Sequence, residues 1–302
     1  MKPLHRLALL LIALFALPLP AMAVDVQTLK APQGEQVWYT EDHTLPMIAM
    51  TAALPAGSAY DPRGKEGLAA FTAAMMDEGA ANLNSKAFHE ALSNRAIHLS
   101  VTPTRDYTVV TLVTLSENAN EAFRLLGLAL TKPRFDADAI VRVRSQILTS
   151  LKADQEDPSE VAAKAFFHAF YGNHPYAHSV DGDADSIARI QRGDLAAFAK
   201  SHWVRGGLKI AVAGDVDADT LKSLLASAFG KIPAKTPPAI APVRHTGAPG
   251  VHVIAMPVPQ PNIVFGLQGL ARTDKDFLAA YVGNYILGGG GFASRLMDEV
   301  RE

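Results

Sequence analysis

Gly67-Leu68-Ala69-Ala70-Phe71-Thr72-Ala73-Ala74-Met75 is the stretch on which the fold turns. It opens a strong helical pattern over 67–78, which Gly79 stops. A loop rich in Gly, Pro and charge (56–66) leads into it. Upstream, 37–40 and 47–54 read as strands separated by the turn-like Glu41-Asp42-His43. Downstream, 85–93 reads as a helix with Ser85 as its N-cap. The stretches 99–103 and 107–115 read as paired strands around Arg105-Asp106. Amphipathic helices follow over 118–130 and 136–154, divided by Pro133, and another over 160–171 ends at Gly172. A strand at 208–213 and a helix at 217–229 complete the run. Hairpin-like strand pairs mixed with tandem long helices favour an α+β fold, an antiparallel-rich sheet packed with helices, over a doubly wound parallel sheet.

Composition narrows the function classes. Of 302 residues, 49% are hydrophobic and 19% charged, far from the profile of a disordered chain. The net charge of −2, without any long basic stretch, argues against binding driven by neutralising nucleic-acid phosphates. Cysteine is absent, which excludes disulfides, thiolate metal sites and cysteine nucleophiles. Lys2, His5 and Arg6 precede an apolar run over 7–17, then Pro18, Pro20 and Ala21-Met22-Ala23. That is the layout of a secretory signal peptide over 1–23, cleaved after Ala23. Its apolar run is too short for a bilayer, which takes roughly 20 residues. The mature protein is expected to be exported, periplasmic and without a membrane span.

The first domain is expected over 24–231. Residues 232–250 hold five prolines and little periodicity, and read as an interdomain linker. The pattern then restarts over 251–302, with strands at 251–255 and 263–267, a charged loop and a helix at 276–287 that runs into glycines. The order repeats that of the first domain, so two related layered domains are expected, the second incomplete.

The quoted stretch resembles the insulinase/pitrilysin family of zinc metallopeptidases, which carry G-[LV]-A-H-F-x-E-H-M there, the inverted H-x-x-E-H zinc motif. The resemblance extends along the chain. Leu45-Pro46, Asp61-Pro62 and Gly64 fit the approach to the motif. Leu115-Ser116-Glu117-Asn118, Pro133-Arg134-Phe135, Asp157-Pro158, His174-Pro175-Tyr176 and Ala213-Gly214-Asp215 fit later landmarks. So do Leu287-Gly288-Gly289-Gly290 and Ser294-Arg295-Leu296. The chemistry departs from the family. Its two zinc histidines and its general base correspond to Ala70, Ala74 and Ala73, and the third ligand, a Glu, corresponds to Ser150. Alanine has no donor atom and a hydroxyl is a poor zinc ligand. No catalytic residue and no metal ligand is therefore assigned to this chain.

Other clusters read as weak. His89-Glu90 begins like the zincin H-E-x-x-H, but Ser93 stands where the second His belongs. His174 and His178 flank Pro175 without a carboxylate at helical spacing, and Asp181, Asp183 and Asp185 lack the Gly and Glu positions of a calcium loop. The resemblance implies a glycine-rich turn at Gly288, Gly289, Gly290 and Gly291 that lets extended peptide approach. It also implies a substrate contact at Arg301, whose family partner Tyr falls beyond Glu302. On this reading the protein is an inactive family member, the peptide-binding, chamber-closing partner of a zinc-bearing subunit, with zinc only in that subunit. A stand-alone peptide-binding or assembly protein, and a peptidase with a relocated site, perhaps at His174 and His178, are the alternatives. Roughly 120 to 150 further residues are expected on domain-size grounds, so the sequence reads as a fragment.

Overall fold

Alternation along two eight-residue strands sets the architecture. The computed structural model describes residues 25–243 and 250–301, so the signal-peptide region and its cleavage point lie outside the described residues. In β3 (Met47–Leu54), Ile48, Met50, Ala52 and Leu54 are buried while their neighbours are largely exposed. In β7 (Thr108–Leu115), Thr108, Val110, Leu112 and Thr114 are buried in the same rhythm. A period of two with one apolar face makes a sheet that is covered on that face only. The two strands pair antiparallel in the register Met47↔Leu115 to Leu54↔Thr108.

Around them the first of two compact units forms, from the described residues up to Leu151 together with Ser179–Ile240. Its six-stranded sheet has the order β1-β2-β8-β3-β7-β6. The remaining strands of that sheet are β1 (Gln27–Lys30), β2 (Gln36–Glu41), β6 (His98–Pro103) and β8 (Lys209–Gly214). Four of the five pairings are antiparallel; β2 and β8 run parallel. Strand β8 comes from late in the chain and inserts between β2 and β3. Gly214 ends it at φ +133°, where a Cβ would stand 2.1 Å from the Met47 carbonyl oxygen. A two-stranded hairpin, β4 (Gly79–Ala80) and β5 (Leu83–Asn84), lies apart from this sheet.

The helices of this unit are α1 (Leu68–Ala74), α2 (Ser85–Ser93), α3 (Ala119–Thr131), α4 (Ala137–Glu156, whose last turn falls in the second unit), α6 (Ala184–Arg189), α7 (Arg192–His202) and α8 (Ala218–Phe229). Helix α3 packs along α8, and α1 lies against α7, β6 and β7. Phe71, Phe88, Phe123, Trp203 and Phe229 are the largest side chains buried among them. Asn84, not Ser85, caps α2: its side chain accepts from the Ala87 N–H at 3.0 Å. Amide oxygen reaches the second or third helical N–H as well as a hydroxyl does, and the chain entered one residue earlier than the sequence suggested.

The second unit contains Lys152–His178 and the described residues after Ile240. Helix α5 (Pro158–Tyr171) is capped by Asp157, which accepts from the Ser159 N–H at 2.7 Å. Helix α9 (Phe277–Asn284) continues into a π-helical turn, Tyr285–Gly289. The expected strands at 251–255 and 263–267 do not form: residues 250–270 carry no strand. Val251, Val253, Ile263, Phe265 and Leu267 are exposed there. A β-prone run becomes a strand only by exchanging main-chain hydrogen bonds with a neighbour, and the described residues supply none.

Candidate functional site

Helix α1 is set by its approach. Gly67 occupies its N-cap at φ +88°, a left-handed position where an added Cβ would also stand 2.5 Å from the Asp181 carbonyl oxygen. The Asp61 carboxylate accepts from the Gly67 N–H at 2.8 Å and the Ala69 N–H at 2.7 Å, which satisfies two of the free donors of the helix start. Burial pushes this carboxyl up to about 8, against the two N–H bonds that favour its charged form. The Ser186 hydroxyl donates to the Glu66 carbonyl at 2.7 Å and holds the same loop from the other side.

The helix is shorter than its sequence pattern. It ends at Ala74, and the Met76 and Glu78 N–H groups bond three residues back, to Ala73 and Met75, in tightened turns. Met75, Met76 and Glu78 all bury in these turns. Ala70 and Ala73 are buried, Ala73 at 1% exposure, while Ala74 is exposed. Ser150 is exposed on α4. Spacings of three and four place Ala70, Ala73 and Ala74 on one helical face, and that face offers only methyl groups. Phe71 is fully buried, with the Arg144 guanidinium 5.5 Å from its ring centre. The residues present therefore do not fit the zinc ion that the family motif would hold.

Immediately beyond α1 lies a cluster that the sequence reading passed over. Asp77, Glu78 and His89 bring one ligating atom each within 4.8 Å of one another. Hairpin β4–β5 turns the chain so that α2 carries His89 back beside Asp77, twelve residues away, and no helical periodicity signals that approach. The Arg142 guanidinium donates to Glu78 Oε1 at 2.8 Å and also to Oε2, and Ser85 Oγ donates to Oε2. Burial alone would raise the Glu78 carboxyl, but the bonds from Arg142 and Ser85 carry it below its ordinary value.

The other sequence candidates have local roles. His174 donates from Nε2 to the Ala241 carbonyl at 2.8 Å and accepts the Tyr176 N–H on Nδ1 at 3.1 Å, so both ring nitrogens are engaged. Asp183 caps α6 in a reciprocal arrangement with Ser186. In the second unit, Gly291 lies at φ +64°, and a Cβ on Gly290 would meet the Tyr285 carbonyl at 2.9 Å. Gly288 and Gly289 continue the same turn. Arg301 is exposed, its guanidinium 5.4 Å from the Phe292 ring centre. At the end of the main sheet, His43 bridges Asp215 (Nδ1 to Oδ1, 2.5 Å) and Glu41 (Nε2 to Oε1, 2.9 Å).

Residues 36–184 match the family model described as Insulinase (Peptidase family M16), and 189–302 match the one described as Peptidase M16 inactive domain. The crystal structure of a peptidase M16 inactive domain from Pseudomonas fluorescens superposes with a TM-score of 0.78 at 30% identity, covering 92% of this chain and 68% of that one. The chain belongs to the insulinase family, peptidase M16. Among curated M16 relatives, the non-peptidase homolog YmxG of Helicobacter pylori is 27% identical over 88% of this chain and 61% of its own length. The chain thus spans about three fifths of the length of the first curated relatives it matches. The periplasmic protease PqqL of Escherichia coli shares the fold, with a TM-score of 0.65 at 17% identity over 74% of this chain and 26% of that one. Among the described residues no helix is long and apolar enough to cross a membrane.

Proposed function

We propose that this M16 chain is catalytically silent and acts in the cell envelope as the peptide-binding, chamber-closing partner of a zinc-bearing M16 subunit. The observation that carries the reading is the α1 face: methyl groups stand at both histidine positions and at the base, and Ser150 stands at the third ligand. Without an imidazole pair there is no Lewis acid at this face, and without a carboxylate no group to activate water. The zinc would reside in the partner subunit. The resemblance to a non-peptidase homolog supports the same reading, and the resemblance to a periplasmic protease supports export. Among the described residues strand β6 pairs with β7 alone, so one of its edges offers main-chain N–H and C=O groups to an extended peptide. In the second unit, Gly288 to Gly291 and Arg301 would present backbone and a cation to extended peptide.

The test is co-expression with an intact H-x-x-E-H relative from the same genome. Co-purification and a rise in that partner's peptide cleavage are expected, with no cleavage by the chain alone. Chelator-sensitive cleavage by the chain alone would overturn the reading. Peptide binding without any zinc-bearing partner would favour a stand-alone binding protein.

A further inference from the structure

We propose that Asp77 and His89, backed by Glu78, bind a divalent transition-metal ion such as Zn2+ at a site that shares no residue with the family's zinc motif. His89 Nδ1 stands 2.9 Å from the Ser85 carbonyl oxygen and 3.4 Å from Ser85 Oγ, whose own proton goes to Glu78. Both neighbours are acceptors, so Nδ1 carries the ring proton and Nε2 carries the lone pair of the neutral imidazole. That lone pair points at Asp77 Oδ2, 3.3 Å away. Two acceptors face each other at a distance that only a cation between them, or a second proton, makes favourable.

The spacing suits an ion. Two donors each about 2.0–2.2 Å from a tetrahedral zinc stand about 3.3–3.6 Å apart, and the Asp77–His89 pair already has that separation. The Ser85 carbonyl on the far ring nitrogen is the kind of outer partner that fixes a ligating histidine's tautomer and raises its basicity. Glu78 has one carboxylate charge answered by Arg142, so the site keeps one net negative charge from Asp77. Room for water ligands exists: a shallow depression of about 410 Å³ opens here, lined by Asp77, His89, Leu92, Ile97, His98 and Leu99. Glu78 is taken up by Arg142 and Ser85, and Glu90, which lines the same depression, stands 3.8 Å from Lys86 Nζ; the role proposed for the ion is to fasten the segment after α1 to α2.

The experiment uses the tag-free chain and Zn2+ alone, followed by calorimetry and by 15N-detected histidine side-chain resonances. One ion per chain is expected, with the His89 Nε2 resonance moving most. H89A and D77N each weaken binding by about tenfold or more, while H174A leaves it unchanged. Both variants alter side chains that are partly exposed, and circular dichroism checks that they fold. Zn2+ should also raise the urea midpoint of the parent chain and not that of H89A. Equal affinity in H89A and the parent, a shift at other histidines only, or no binding at several-fold excess of Zn2+ would overturn the site. Peptide cleavage is followed in the same samples: binding without cleavage supports the site and leaves the silent-subunit reading intact. Cleavage lost in H89A would overturn that reading and the purely structural role of the ion.

Discussion

Restoring the motif one residue at a time separates a helix face that merely lacks ligands from one that has been packed shut. Ala73 is 1% exposed and Ala74 is exposed on the same seven-residue helix. Ala73→Glu inserts a methylene and a carboxylate into filled space. Overpacking of this kind costs about 1–3 kcal/mol. A carboxyl deprived of water adds about 1.4 kcal/mol for each unit by which its titration is raised, up to pH 7. Together these predict a loss of about 3–5 kcal/mol for Ala73→Glu. Ala74→His changes only helix propensity, about 0.5 kcal/mol. Urea unfolding followed by circular dichroism at pH 7 gives both values, and thermal midpoints should fall by roughly 2–4 °C per kcal/mol. The Ala73→Glu deficit should shrink as pH falls through the unfolded glutamate value of about 4.3 and reach its packing part near pH 3, where the carboxyl is largely neutral in both states. A difference under about 1 kcal/mol between the two variants would refute the claim that packing has closed the position of the base.

Further expectations follow from the charged groups near α1 and at the sheet end. Arg142→Ala leaves Glu78 buried with only Ser85, at a cost of about 2–4 kcal/mol, less than for a fully buried pair because Arg142 is itself 46% exposed. Glu78 is lowered in the fold, so this contribution is present above the unfolded carboxyl value and lost as pH falls through the folded one; a urea series taken downward from pH 7 should show the Arg142→Ala deficit hold through the ordinary carboxylate range and shrink only below it. Asp61 is raised to about 8 by burial, so the fold holds that proton more tightly than the unfolded chain and stability declines as pH rises from about 4 to about 8. A carboxyl 13C titration of Asp61 with its midpoint below 5 would contradict this. His43 is raised, chiefly by its hydrogen bond to Asp215 and then by that to Glu41. Its clasp is therefore complete below the ordinary histidine value and is lost as pH rises through the elevated one, and Asp215→Asn should bring the NMR midpoint of His43 back toward 6.5.

Where the sequence was legible, one residue periodicity decided the element. Alternation in β3 and β7 and the amphipathic runs of α3, α4 and α8 each reported a face that the fold buries. Strand β1 was missed because its burial pattern is almost wholly exposed, leaving no alternation to read. Helix α1 is shorter than its sequence pattern because Met75 and Met76 continue the apolar run and their burial is met by turns. The β-prone runs after residue 250 misled in the opposite sense: composition marks them as strand formers, but pairing is not a local property. The vacated α1 face was legible residue by residue, since the absence of donor atoms is written in the side chains. The Asp77–His89 approach was not, because it depends on how a two-residue hairpin redirects the chain.

Strand β8 also imposes an order on synthesis. Strands β2 and β3 are close in sequence but never pair with each other; the six residues Lys209–Gly214 stand between them. Until those residues leave the ribosome, the middle of the sheet is a gap with two unpaired edges. At translation rates of about 5–20 residues per second, that gap stays open for roughly ten to thirty seconds after β3 emerges. Pairings this distant along the chain close slowly even once both partners are present. The nascent chain therefore carries an open sheet while the residues between β3 and β8 are made, and the strand that closes it is the last of the described strands in chain order.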